Sequence, residues 1–290
     1  MAEHAPEPDG DQWKGERVDR WIRQSEGLER QLEPVSDVLF ATAGLRPGER
    51  VLDVGCGTGP TTRRAAVAVG PDGAVTGLDV AAPMLERATS VDRARGSAPI
   101  TWVEADATAW GPPGALFDVV LSRFGVMFFD DPPAAFASLA RATAPEGRLH
   151  VAVWARRSES DLFAVPLSVA MATLAAVGAP PPDTPPDDGG PFSLSDQTTV
   201  SSLLEAAGWN DVQWDRHRIR LPFGGGLAPA DAARGSLDFG PTRLVTADAG
   251  DTLRDQVAAA IGRAYESHVD DDGHVVLNGT VIVVSARRPG

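Results

Sequence analysis

One stretch constrains this chain more than any other: Val51-Leu52-Asp53-Val54-Gly55-Cys56-Gly57-Thr58-Gly59. Four residues dominated by branched apolar side chains read as a buried strand, and the glycines that follow read as a turn. Helix-forming residues then run from Thr58 to Val69. A strand that enters a glycine-rich turn and leaves as a helix lets the backbone approach a ligand closely at a helix N-terminus. Few folds other than a strand–helix alternation can use such a unit.

The rest of the chain keeps that alternation. Strands are predicted over Ala74–Asp79, Ile100–Glu104, Phe117–Ser122 and Leu149–Trp154, with a helix from Pro83 to about Arg95 and another from Pro132, capped by Asp131. Before the first strand, Val18, Ile22, Leu28, Leu32, Val35 and Leu39 recur at helical spacing, which suggests two N-terminal helices. The strands are nearly continuous in apolar residues, so a mostly parallel sheet with helices on both faces is expected.

After Trp154 the rhythm breaks twice. An apolar helix over 161–177 is followed by Ala179–Pro191, where six of thirteen residues are proline. The pattern resumes with a helix ending at Gly208 and a strand over Val212–Leu221. A second irregular stretch, about 222–272, contains a helix with Leu253, Val257, Ile261 and Tyr265 on one face. A final strand, Val275–Ala286, carries a possible bend signal at Asn278-Gly279. This organisation predicts one domain over 13–290 with insertions at about 156–192 and 222–272, and a disordered acidic segment over 1–12.

Composition narrows the partners. With 40 acidic against 26 basic residues the net charge is −14, which disfavours a nucleic-acid partner. No run of apolar residues is long enough for a membrane span, and no leader pattern opens the chain, so a cytoplasmic protein is expected. A single cysteine, Cys56, excludes an intramolecular disulfide and a multi-cysteine zinc site, and no metal is expected. Cys56 reads as a small residue fitting a tight turn, because no histidine or second thiol lies near it in sequence. A homo-oligomer is compatible with this composition.

Twenty residues past Gly59 the second strand ends in Asp79. A carboxylate beside a glycine turn can accept both hydroxyls of an adenosine ribose. The spacing distinguishes two ligand classes. A dinucleotide turn reads G-x-G-x-x-G, whereas here the third glycine comes one position early and Pro60 takes its place. Asp53, two residues before the turn, would repel a pyrophosphate but suits a cationic amino-acid tail.

With this turn, the chain resembles the class I S-adenosylmethionine-dependent methyltransferases. Three further segments carry the resemblance in order: Gly77-Leu78-Asp79-Val80-Ala81-Ala82-Pro83-Met84-Leu85, Val103-Glu104-Ala105-Asp106-Ala107, and Phe117-Asp118-Val119-Val120-Leu121-Ser122-Arg123-Phe124-Gly125-Val126-Met127-Phe128-Phe129. It extends from about Trp21 to Arg287 and implies a Rossmann-like seven-stranded sheet with lid insertions after strands five and six. It also implies S-adenosylmethionine as cofactor and roles for individual residues. Gly55, Cys56, Gly57 and Gly59 would pass under the methionine portion, with Asp53 assisting its ammonium group. Asp79 and Val80 would border the ribose, Met84 would pack on the adenine, and Asp106 with the Ala107 N–H would hold the adenine edge. Ser122 and Arg123 would border the methionine and sulfonium. Ala81 stands where relatives usually carry serine, and Gln24-Ser25 where a His-Gln pair is common.

The expected partner is a small-molecule acceptor. Aromatic residues near the carboxyl edge (Trp21, Phe124, Phe128, Trp154) favour an aromatic or apolar one. Tyr265 and His268 are the candidates for a general base, each weighed against a purely structural role. His150 and His217 lie within strands and are set aside. A protein that binds the donor for a non-methylating purpose, such as cyclisation or regulation, would carry the same motifs.

Overall fold

The computed structural model describes residues 16–112, 114, 116–179 and 186–290. The segment expected to be disordered, 1–12, and residues 180–185 of the proline-rich stretch lie outside the described residues, as does the side chain of Trp21.

Seven strands form one sheet: β1 (Arg50–Val54), β2 (Ala74–Asp79), β3 (Ile100–Glu104), β4 (Phe117–Arg123), β5 (Thr143–Trp154), β6 (Asn210–Pro222) and β7 (Val276–Arg287). Their order across the sheet is β3-β2-β1-β4-β5-β7-β6. β1 to β5 pair in parallel, and β7 runs antiparallel between β5 and β6. The chain builds outward from β1 in one direction, then returns to build from β4 in the other. The crevice beyond the carboxyl ends of β1 and β4 is therefore the switch point at which open α/β sheets bind ligands.

The helices are α1 (Glu16–Ala43), α2 (Pro60–Val69), α3 (Ala82–Thr89), α4 (Pro132–Ala142), α5 (Asp161–Ala176), α6 (Gln197–Ala206), α7 (Pro229–Ser236), α8 (Gly240–Val245) and α9 (Asp251–Tyr265). Alternate residues of the central strands feed opposite faces of the sheet. Val51, Val119 and Leu121 pack with Ala65, Ala66 and Val69 of α2, while Leu52, Val54 and Val120 join the larger core with Phe136 and Leu139 of α4. Asp131 caps α4 as expected, its carboxylate accepting from the Ala134 N–H at 2.9 Å, and Asp196 does the same for α6 through Thr199 at 2.8 Å.

Three local expectations change. The two N-terminal helices are one, since α1 runs unbroken through Pro34, which removes a single intrahelical donor within a 28-residue helix. α3 ends at Thr89 rather than near Arg95. β7 does not turn at Asn278-Gly279; it pairs with β6 from Val276 to Arg287, and Gly279 is small because a Cβ there would lie 2.6 Å from the Leu221 side chain. The stretches expected as insertions supply helices that pack together, α5 on α8 and α9 and α7 on α9. Among the described residues, no helix is long and apolar enough to cross a membrane.

Candidate cofactor and acceptor site

The glycine turn after β1 uses the left-handed region three times, at Gly55 (φ 65°), Gly57 (φ 53°) and Gly59 (φ 79°). Glycine enters this region without steric cost. Gly59 is the N-cap of α2, with Pro60 at its first position. Asp79, at the end of β2, ties the turn down: one carboxylate oxygen accepts from the Gly57 N–H at 2.7 Å and the other from the Ala81 N–H at 2.9 Å. Burial raises the Asp79 pKa above the ordinary carboxylate value, and these backbone donors oppose the rise.

A cleft opens beside this turn at the carboxyl edge of the sheet. Of the residues expected to bind a cofactor, Gly55, Gly57, Asp79, Val80, Met84, Asp106, Ala107 and Arg123 line it. Phe124 and Phe128, expected on the acceptor side, line it too. The elements explain the convergence. β2 delivers Asp79 and Val80, α3 delivers Met84, the turn after β3 delivers Asp106 and Ala107, and the end of β4 delivers Arg123 and Phe124. The Asp106 carboxylate stabilises its own turn by accepting from the Thr108 N–H at 2.8 Å.

Arg123 is not a loose cation. Its guanidinium makes a two-oxygen contact with Glu29 of α1, both distances 2.8 Å, and a 2.8 Å bond to the Ser36 hydroxyl. This geometry holds α1 against the cleft and leaves Arg123 only 9% exposed.

Other expected site residues lie behind the cleft wall. Asp53 is buried, and one oxygen accepts from the Thr61 and Thr62 hydroxyls at 2.7 and 2.6 Å. Its other oxygen has no hydrogen-bond partner among the described residues. Burial pushes its pKa up to about 6, against the pull of the two threonines and Arg123. Cys56 is buried, and burial pushes its thiol up, which opposes a thiolate role. Gly59 faces the indole of Trp102 rather than the cleft. Among the described residues the Ser122 hydroxyl bonds only to backbone groups.

The acceptor-side and base candidates also divide. Trp154 is buried, and its ring stacks on Phe124 at 4.3 Å, so it supports the cleft wall from behind. Tyr265 is fully buried among the insertion helices, with its hydroxyl 2.7 Å from that of Ser236. His268 is half-buried on the 3-10 turn Glu266–His268, and neither it nor Tyr265 lines the cleft. His150 bonds Ser285 inside the sheet, and burial pushes its pKa down to about 4.

Sequence reasoning missed Phe129 and Asp130, which continue the wall beyond Phe128, and Gly125, which lines the cleft from the turn after β4. The available signal for Gly125 was its position three residues beyond Ser122. A Cβ on Gly55 would lie 2.6 Å from the Gly125 Cα, so these two turns need glycine on both sides.

The residues fit a donor with an adenosine and a cationic amino-acid tail. A Cβ on Gly57 would meet no protein atom within 4 Å, so the backbone there faces open space that a ligand can approach. The orphaned oxygen of Asp53 supplies negative charge behind the same turn.

A family profile described as a methyltransferase domain matches residues 51–147, the segment from β1 into β5 that builds the donor half of the cleft. The nocamycin O-methyltransferase of Saccharothrix syringae is 40% identical over 117 residues, covering 40% of this chain and 41% of the relative. The chain thus aligns with less than half of that enzyme's length. A ubiquinone/menaquinone biosynthesis C-methyltransferase of Shewanella halifaxensis is 30% identical over 185 residues, covering 60% of this chain and 71% of the relative. The crystal structure of the YcgJ protein from Bacillus subtilis shares the fold, with a TM-score of 0.52 and 18% identity over 88% of this chain and 98% of that one. Motifs, sheet order and a relative matched over most of its length agree: the chain belongs to the class I S-adenosylmethionine-dependent methyltransferase family.

Proposed function

We propose that this protein transfers a methyl group from S-adenosylmethionine to a small aromatic or apolar acceptor of natural-product type, at oxygen, nitrogen or carbon. The observation that carries the reading is that one cleft brings together Gly55, Gly57, Asp79, Met84, Asp106 and Ala107, expected to hold the donor, with the rings of Phe124, Phe128 and Phe129.

S-adenosylmethionine supplies a methyl group already activated by a sulfonium, so the protein's work is chiefly alignment. In this reading the Asp79 carboxylate accepts the ribose hydroxyls on lone pairs that remain after its two backbone bonds. Met84 and Val80 give the adenine an apolar bed, Asp106 and the Ala107 N–H address its edge, and Asp53 balances the ammonium group. The phenylalanines desolvate and orient the nucleophile. Positioning alone can supply about 7–11 kcal/mol of a barrier. The buried Tyr265, bonded to Ser236, is unsuited to proton removal, so the reading relies on no base from the insertions.

The insertions at about 156–192 and 222–272 are assigned to the acceptor side of a single domain over 13–290. The ring of Phe124 meets Trp154, which meets Phe163 of α5 at 5.1 Å, so the cleft wall and the insertion layer share one aromatic core. The test is a calorimetric titration with S-adenosylmethionine and with NADH, followed by mass spectrometry of reactions with a panel of phenolic, polyketide and quinone acceptors. Binding of the donor but not NADH, with one acceptor gaining a methyl group, is the expected result. Failure to bind the donor would overturn the reading. Conversion of an acceptor to an unmethylated, cyclised product with the donor unconsumed would favour the non-methylating alternative.

A further inference from the structure

Ser122, the penultimate residue of β4, is completely buried. Its hydroxyl donates to the Val54 carbonyl at 2.7 Å, directly before the glycine turn. The same oxygen accepts from the Gly125 N–H at 3.2 Å and the Val126 N–H at 3.3 Å. One hydroxyl therefore bridges the end of β1, which carries the donor-side turn, and the turn after β4, which begins the acceptor wall. No side chain cushions the join. A Cβ on Gly125 would lie 2.6 Å from the Val54 oxygen and 2.8 Å from the Gly55 Cα.

Between Ser122 and Gly125 stands Phe124, in the left-handed region at φ 67°. A bulky residue rarely adopts this conformation and keeps it only where its surroundings over-determine it. Here the Phe124 N–H donates to the Ala152 carbonyl at 2.9 Å, and the ring lies 4.3 Å from Trp154 at an interplanar angle of 10°. The wall residue is thus fixed to β5 on one side and, through Ser122 and Gly125, to the glycine turn on the other.

We propose that Ser122 is a positioning residue that couples occupancy of the glycine turn to the placement of Phe124, so that donor binding sets the acceptor wall. The proposal rests on the donor reading of the cleft. Small shifts at one site become effective at another when a packed, hydrogen-bonded element links them, and this bridge is two residues long. Removing the hydroxyl leaves the Val54 carbonyl and two N–H groups without their shared partner, which uncouples the two turns without touching a ligand-facing group.

The test uses the full chain labelled with fluorotryptophan, with the Trp154 fluorine resonance assigned by Trp154→Phe and the protein titrated with S-adenosylhomocysteine. A ring stacked on Trp154 makes that resonance sensitive to any displacement of Phe124. In the wild type the resonance should move on saturation. In Ser122→Ala the ligand should bind within about threefold of wild type while the movement falls below about half, and Ser122→Thr, which keeps the hydroxyl, should restore it. An undiminished movement in Ser122→Ala, or none in the saturated wild type, overturns the proposal. Should Ser122→Ala not fold, Ser122→Cys carries the same expectation, because a thiol fills the space of the hydroxyl but is a much weaker hydrogen-bond donor and acceptor. If the wild type fails to bind S-adenosylhomocysteine by calorimetry, the donor reading itself falls, and the coupling proposal with it.

Discussion

Replacing Asp53 by asparagine tests the donor site through a buried charge. The Asp53 side chain keeps only 1% exposure, and its pKa rises from the ordinary 3.8 to about 6, chiefly because burial penalises the charged form. A folded-state value above the unfolded one means that the native protein holds this proton more tightly. The contribution to stability is fully present below about pH 4, declines as pH rises through the window between 3.8 and about 6, and is level above it. A shift of roughly two units corresponds to about 3 kcal/mol. Asp53→Asn keeps a carbonyl oxygen for the Thr61 and Thr62 hydroxyls and removes the titration. Its amide N–H groups occupy the place where no partner stands, a cost of about 1–3 kcal/mol that does not depend on pH. Urea unfolding of both proteins across a pH series reads the difference. From acid to neutral pH the gap should move by about 3 kcal/mol in the variant's favour, whatever its offset. Donor affinity should follow the same group with the opposite sense. A cationic tail favours the ionised carboxylate, so the wild type should lose up to about tenfold in affinity per pH unit below about pH 6, and the variant should not. A gap that stays constant through this window would show that Asp53 ionises like an exposed acid and would refute the reasoning.

Three further outcomes are expected. Asp79→Ala should weaken S-adenosylmethionine binding at least about tenfold by calorimetry, since each charge-assisted bond lost is worth about 1.5–3 kcal/mol, while circular dichroism shows the fold retained. Because Asp79 also holds the Gly57 N–H, S-adenosylhomocysteine should lose comparable affinity. Asp106→Asn should weaken donor binding less than Asp106→Ala, because the amide oxygen can still cap the Thr108 N–H; equal and negligible effects of both would remove Asp106 from the site. Tyr265→Phe should leave methyl transfer within about twofold and lower stability by about 1 kcal/mol in urea unfolding, the worth of its bond to Ser236. A loss of transfer with a retained fold would restore Tyr265 as a base.

The glycine-turn side of the cleft was legible because its chemistry is local. Asp53, Gly55, Gly57 and Asp79 lie on short strand–turn units whose geometry follows from residue type, and Asp131 announced α4 by the same kind of rule. The rest of the cleft depends on contacts that no local pattern encodes. The Arg123–Glu29 pair joins residues 94 positions apart, and the Gly55–Gly125 contact depends on β1 and β4 being neighbours. The exposure of an aromatic residue is equally non-local. Phe124 and Trp154 look alike as strand-end aromatics, yet one lines the cleft and the other stands behind it, because β7 passes beside β5 and the insertions close over Trp154. Tyr265 fits the same account. The apolar stripe that made it a candidate is the stripe that buries it in α9.

The aromatic core has a practical consequence for reshaping the cleft. From Phe124 the rings continue through Trp154, Phe163, Phe239 and Phe223 to Tyr265, at centroid separations from 4.3 to 6.2 Å. Truncating a ring inside this series opens a void that its neighbours cannot refill, at about 3–5 kcal/mol for a large aromatic. Phe128 and Phe129 belong to the same wall but are only half-buried, with one side toward the cleft. Enlarging the cleft from those two positions keeps the series intact. Substitutions at Phe124 or Trp154 thus carry a stability cost that substitutions at Phe128 and Phe129 avoid.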